Sequence, residues 1–456
     1  MNEKQIKKTP LHDWHLKHGA NMAVFGGYEM PLWYPSGAKR EHLAVLSGAG
    51  MFDTSHMAVI MVEGSGALAL LQACFTKNLD ACMGKDKTPL VPGRCAYGAF
   101  LDDLGHVRDD SIVSQVAPEM YMIVVNAGMG EEIAGYLKDR AGGLDVEIHD
   151  LTDGVGKMDI QGPMSARILA KILREPEAVF DRMVYFSFRG FFDDDSPLAD
   201  AVRLSDGTPV MLSRTGYTGE FGFEIFMNPD HIERVWKMAL EAGKKFDLTV
   251  CGLAARDSLR TGAVLPLSHQ DIGPWPFINN PWSFALPFND DRTGFTKKFT
   301  GDEALRNIEK PEYTYPFAGF DLRKVSPGDS TVVTDSGGSR IGAVLTCVTD
   351  MAIGRVEGKI CSAASPDRPD GFNPKGLSCG FVRVTKKLSG GDTVELKDDR
   401  RTIKVVIVDD MDNRNDALVK SSEILFFVIP AEAGIQSFQV VVNYLDSGFH
   451  RSDDFL

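Results

Sequence analysis

The chain has 456 residues, is 43% hydrophobic and 25% charged, and carries a formal net charge of −14. That length is too great for one ordinary core and suggests roughly three domains of a folded protein. The acidic balance disfavours nucleic acid or an anionic membrane as a main partner, and no apolar run is long enough to span a bilayer. Residues Met1 to Lys8 lack the apolar stretch of a signal peptide. Seven cysteines, at 74, 82, 95, 251, 347, 361 and 379, form no Cys-x-x-Cys pair, so neither a zinc site nor a disulfide framework is expected. The simplest class is a cytoplasmic enzyme.

In chain order, Thr9-Pro10 reads as an N-cap with proline in the first turn, opening a helix to about Gly19. His12, His15 and His18 recur at three-residue steps, which drift around a helix, so they predict a polar face rather than a metal site. Residues 25–34 form a loop of Gly, Pro and aromatics; residues 36–50 and 65–83 read as helices, with a strand over 58–62 between them. Three strands joined by tight turns at Leu104-Gly105 and Glu119 are expected over 93–127. A helix over 128–140, the strand Lys157–Gln161, strand signals over 183–226 and helices over 229–243 and around Arg256–Arg260 follow. Strands adjoin strands too often for a doubly wound sheet, so the fold class is α+β.

Residues 274–288 are an irregular loop rich in proline and tryptophan, and from about 315 short strands with Gly/Ser/Asp turns predict a small β-barrel. The expected units are a body over 1–310, a C-terminal barrel over 311–412 and a disordered extension over 413–456. Within the extension, Ile424–Ile429 is apolar but too short to cross a membrane.

The segment Ser213-Arg-Thr-Gly-Tyr-Thr-Gly-Glu-Phe-Gly-Phe-Glu224 is the densest in chemical signal. Its glycines permit close backbone approach. Phe221 and Phe223 alternate with Gly222 and Glu224, which places Glu224 across a strand from Phe223. A carboxylate beside the ring of Tyr217 suits a planar heterocycle with adjacent N–H donors, and a solvated hairpin remains the alternative. Tyr97 and the pair Asp109-Asp110 lie on successive expected strands, with Arg256 as a cation able to grip a carboxylate. From composition alone, Asp109-Asp110 and Asp102-Asp103 are equally good turn acids.

Ordered matches distinguish them. Thr9-Pro-Leu, Gly27-Tyr-Glu-Met-Pro-Leu, Gly50-Met-Phe-Asp-Thr-Ser-His-Met57, Gly105-His-Val-Arg-Asp-Asp110, Val125-Asn-Ala127, Gln161-Gly-Pro163, Ser213 to Glu224 and Gly252-Leu-Ala-Ala-Arg-Asp257 together resemble the T protein (aminomethyltransferase) family of the glycine cleavage system. The resemblance implies three domains in a clover arrangement around a central folate site, with tetrahydrofolate as the cofactor. It implies Asp110 as the catalytic acid, and Tyr97, Tyr217, Glu224, Arg256, Met57 and Tyr185 around the folate. It also implies a lipoylated carrier (H) protein as partner.

Beyond Arg256 the chain departs from the family pattern. Leu259-Arg-Thr-Gly-Ala-Val and Leu267-Ser-His-Gln-Asp-Ile-Gly-Pro274 keep Arg260, Gln270 and Asp271 but lose a glutamate and an acidic pair, and His269 stands where the family has glycine. A paralogue taking a methyl group from a small methylated substrate (an amine, a sulfonium compound or an aryl ether) therefore stays open, as does a folate-binding protein without catalysis.

Overall fold

The computed structural model describes residues 5–365 and 368–409. The extension expected over 413–456, with Ile424–Ile429, lies outside the described residues.

Alternation along single strands builds the body. In Gly156–Gln161, Met158 and Ile160 enter an apolar core, which turns Lys157, Asp159 and Gln161 to the opposite face. This strand is central to a six-stranded sheet of order Phe188–Arg189, Met211–Ser213, Gly222–Met227, Gly156–Gln161, Ala49–Asp53 and Leu248–Val250. Ile168 of the helix Ser165–Leu169 and Val235, Trp236 and Ala239 of the helix Ile232–Gly243 complete the core on one side. A second, five-stranded sheet runs Arg94–Leu101, Val107–Ala117, Met120–Val125, Ala58–Glu63 and Glu147–Asp150. The helices Ala67–Cys74 and Gly130–Ala141 cover one of its faces. The two remaining sheet faces meet, with Val59, Met61 and Met122 from one packing with Met211 and Phe226 from the other. Burial of this kind stabilises by about 25 cal/mol per Å² of apolar surface, so the contact joins the two sheets firmly.

Residues 313–407 form a closed six-stranded barrel of order Tyr313–Ala318, Leu377–Val384, Arg340–Asp350, Gly328–Thr334, Thr393–Lys397 and Thr402–Ile407. Val333, Val344, Val382, Val394 and Val405 fill it, and closure leaves no sheet edge to template aggregation. The fold is α+β, as the strand-next-to-strand pattern implied, with two large sheets, the barrel and two two-stranded sheets among the described residues.

Three local expectations change. The helix expected over 65–83 stops at Cys74, because Thr76 N donates to Ala99 O and Phe75 packs on Phe100, which draws the chain onto the edge strand. Thr9 is not an N-cap: the first helix is His12–Lys17, and the Thr9 hydroxyl donates instead to buried Asp53 at 2.6 Å. Nor do the histidines make a polar face. His12 and His15 are buried, His15 bridges Asp53 and Tyr34, and His18 stacks on Trp14.

The barrel is fastened to the body by polar contacts. The helix Leu253–Gly262 lies against the barrel strand Arg340–Asp350. Its Arg260, 1% exposed, pairs with Asp271 and Asp257 and donates to the Thr346 hydroxyl, which itself donates to Asp271 at 2.7 Å. His42 places Nε2 3.0 Å from Asp350, and its Nδ1 lies 2.8 Å from the Ser258 hydroxyl. Removing one partner of such a buried pair strands the other charge. Asp271→Ala is expected to cost about 3–5 kcal/mol in urea unfolding, and a loss under about 1 kcal/mol would show that Arg260 is neutralised some other way.

Candidate active site

Three groups of side chains gather where the two sheets and the loop before the barrel meet. The first is an acid pair. Leu101 faces Val107 while Phe100 faces Asp109, so Arg108 is an extra residue in its strand. Such a bulge re-aims neighbouring side chains. Just past it, two successive carboxylates reach one amide: Asn126 Nδ2 donates to Oδ1 of both Asp109 and Asp110 at 2.8 Å. The Asn126 backbone N–H donates to Asp109 Oδ2, the Tyr97 hydroxyl to Asp110 Oδ2 and the Ser268 hydroxyl to Asp109 Oδ1, each at 2.8 Å. Asp109 is fully buried, whereas Asp110 keeps partial access to solvent. Burial pushes both carboxyls above the usual carboxylate range, and in Asp109 the charge of Asp110 adds to it. Two carboxylates this close share one proton more readily than they both ionise. Asp102, by contrast, is a turn acid: its Oδ1 accepts from Leu104 N and His106 N.

The second group is a buried row of charge. Arg256 Nη1 donates to Asp159 Oδ2 at 2.8 Å, and Lys157 Nζ donates to Asp159 Oδ1 at 2.8 Å, to the Thr54 hydroxyl at 3.1 Å and to Glu224 Oε1. The Thr215 hydroxyl donates to Glu224 Oε2. Burial alone would raise the Asp159 carboxyl, but Lys157 and Arg256 outweigh it and hold the group below the usual range. Each member is nine-tenths or more buried, and the two cations balance the two acids.

The third group is aromatic. The Arg256 guanidinium lies 5.0 Å from the centroid of Tyr217, whose hydroxyl donates to Pro266 O. Tyr185 sits edge-on to Phe186, and burial first, then the charge of Glu224, pushes its hydroxyl up. Met57 packs into the same inter-sheet cluster as Phe186. The glycines of the 213–224 segment serve the protein and not a ligand. A Cβ at Gly216 or Gly222 would strike Gln161, and one at Gly219 would strike Ala263.

Sequence reasoning named Tyr97, Asp110, Tyr217, Glu224 and Arg256, and it missed Asn126, Ser268, Lys157 and Asp159 as parts of the site. Two charged residues alternating with apolar ones in Gly156-Lys-Met-Asp-Ile-Gln161 were the available signal for the last two. Among the described residues no group of His, Cys, Asp and Glu is placed to hold a metal ion. No helix there is long and apolar enough to cross a membrane.

An α+β body with a paired-acid site and a barrel fastened to it is the architecture in hand, and comparison gives its class. Residues 11–275 match the GCVT N-terminal domain. An aminomethyltransferase of Bacillus subtilis is 35% identical over 366 residues, spanning 77% of this chain and 94% of its own. One from Symbiobacterium thermophilum is 34% identical over 355 residues, spanning 76% and 86%. The crystal structure of the glycine cleavage system aminomethyltransferase T from Bartonella henselae superposes with a TM-score of 0.68 at 27% identity, covering 88% of this chain and 97% of that one. The chain belongs to the GCVT aminomethyltransferase family, a family of transferases.

The raised Asp109 carboxyl makes a stability prediction. A group whose folded value exceeds the unfolded one, about 3.9 for Asp, contributes fully below that value and loses its contribution as pH rises through the folded value. For Asp109 that loss runs up to about 8. Asp109→Asn, which cannot ionise, is expected to melt above the wild type at pH 8. The gain should shrink towards pH 4, each kcal/mol appearing as about 2–4 °C. Equal gains at both pH values would contradict a carboxyl held protonated by burial.

Proposed function

We propose that this chain is a tetrahydrofolate-dependent aminomethyltransferase of glycine cleavage, acting in the cytoplasm. It moves the methylene group of an aminomethyl-lipoyl carrier (H) protein to tetrahydrofolate and releases ammonia. The observation that carries the reading is Asp110. It is a partly open carboxyl fixed by Tyr97 and Asn126, near Tyr217, which in turn is flanked by Arg256 and the charge row that ends in Glu224. That the relatives named above are aminomethyltransferases supports the aminomethyl donor over a small methylated one. The body expected over 1–310 carries these groups, and the barrel braces them through Thr346 and Asp350.

The donor set fits a reduced pteridine. A carboxylate offers about four lone-pair directions, and Glu224 uses one per oxygen, on Lys157 and Thr215, leaving acceptor capacity for the paired N–H donors of a heterocycle edge. Tyr217, steadied by Arg256 and by its bond to Pro266, presents a ring face. Met57 and Tyr185 border the ligand from the inter-sheet side. Bound tetrahydrofolate supplies the nucleophilic nitrogen, so the protein's work is placement. Asp110 is held by fixed donors and stabilises positive charge at the reacting carbon without reorganising.

Asp110→Asn is expected to lower turnover by about 10²–10⁴-fold with aminomethyl-lipoyl carrier as donor, read as methylenetetrahydrofolate formed. Turnover near wild type would remove Asp110 from the chemistry. Glu224→Gln is expected to weaken tetrahydrofolate binding by calorimetry about tenfold, the loss of one charge-assisted hydrogen bond. A wild-type protein that neither takes up reduced folate nor forms the product would overturn the reading.

A further inference from the structure

The loop Ala263–Asp271 brings one further ionisable group to the acid pair. His269 Nε2 lies 3.6 Å from Asp109 Oδ1, and the side chain is 49% exposed. Its backbone has φ +63°, a left-handed conformation that few non-glycine residues adopt and that often marks a functional constraint. The turn is held in place from behind: Leu267 N donates to Asp271 Oδ2 at 3.0 Å, and Asp271 is locked by Arg260 and Thr346. Ser268, next in the chain, already donates to Asp109. The charged groups around the ring are thus Asp109 and Asp110 on the strand, with Asp271 and Arg260 behind it paired to each other. A continuous polar line runs from solvent through His269, Asp109 and Asn126 to Asp110 and Tyr97.

We propose that His269 is the residue through which the Asp109–Asp110 pair passes a proton to the departing group of the donor. This rests on the aminomethyl-transfer reading. There, two N–C bonds form on the folate and its two N–H protons are lost; the donor's C–S and C–N bonds break, and its sulfur and nitrogen each gain one proton as thiol and ammonia. An acid pair can accept such a proton, and His269 is an exposed ionisable group beside its fully buried member, Asp109. The raised Asp109 carboxyl suits a temporary holder.

The test uses His269→Asn and His269→Gly, both tolerant of positive φ. With the full chain, tetrahydrofolate and aminomethyl-lipoyl carrier, kcat is expected to fall about 10²-fold in each, with tetrahydrofolate Kd unchanged, and added imidazole to restore the glycine variant at least partly. If the wild type forms no methylenetetrahydrofolate, the transfer reading fails and this proposal with it. If the wild type turns over while both variants stay within about threefold of it, or imidazole restores nothing to the glycine variant, the proposal alone is overturned.

Discussion

The structure depends on two carboxylates that face each other across neighbouring strands. Asp159 and Glu224 are directly opposed in the register between Gly156–Gln161 and Gly222–Met227, and both are buried. Like charges so placed repel, and burial removes the water that would screen them. Lys157, two residues from Asp159 on the same face, reaches both acids, and Arg256 takes the remaining oxygen of Asp159. Neutrality is thus reached only when three separate pieces of chain are in place. Breaking a buried pair of this kind costs far more than an exposed one contributes. The same requirement fixes the direction of Glu224 and of the Arg256 guanidinium over Tyr217, so folding and site geometry are one constraint.

The acid pair is built by a different device. Asn126, just after the strand Met120–Val125, donates to both Asp109 and Asp110, and the loop after the helix Leu253–Gly262 closes over them. That loop is held by the barrel through Thr346 and by the body through Tyr217. Three sheet systems therefore converge on a few carboxylate oxygens. This explains how a barrel that contributes no proposed ligand contact still matters to the site.

Much of this was legible in the sequence where one period or one turn signal dominated. The strands over 93–127, the Leu104-Gly105 turn and the C-terminal barrel follow from alternation and turn chemistry, and they stand in the structure. The helix read over 65–83 did not, because Leu79, Cys82 and Met83 fall at helical spacing while Phe75 and Thr76 are claimed by the edge strand. The ordered motifs picked out Asp110 over Asp102. They could not show that Asp109 and Asp110 share Asn126, since alternation sends successive residues to opposite faces. Nor could spacing find Lys157 and Asp159, whose meaning appears only when Glu224 is laid opposite them.

The loop Ala263–Asp271 is anchored largely through its main chain. Val264 O receives the Trp282 indole, Leu265 uses its N–H on Arg260 O and its carbonyl for the Arg260 side chain, and Pro266 O receives Tyr217. Contacts of this type are indifferent to the identity of the side chains they leave outside. The segment can exchange residues facing the cleft without losing its path, which makes it a natural place for substrate preference to diverge while the remainder of the scaffold stays put.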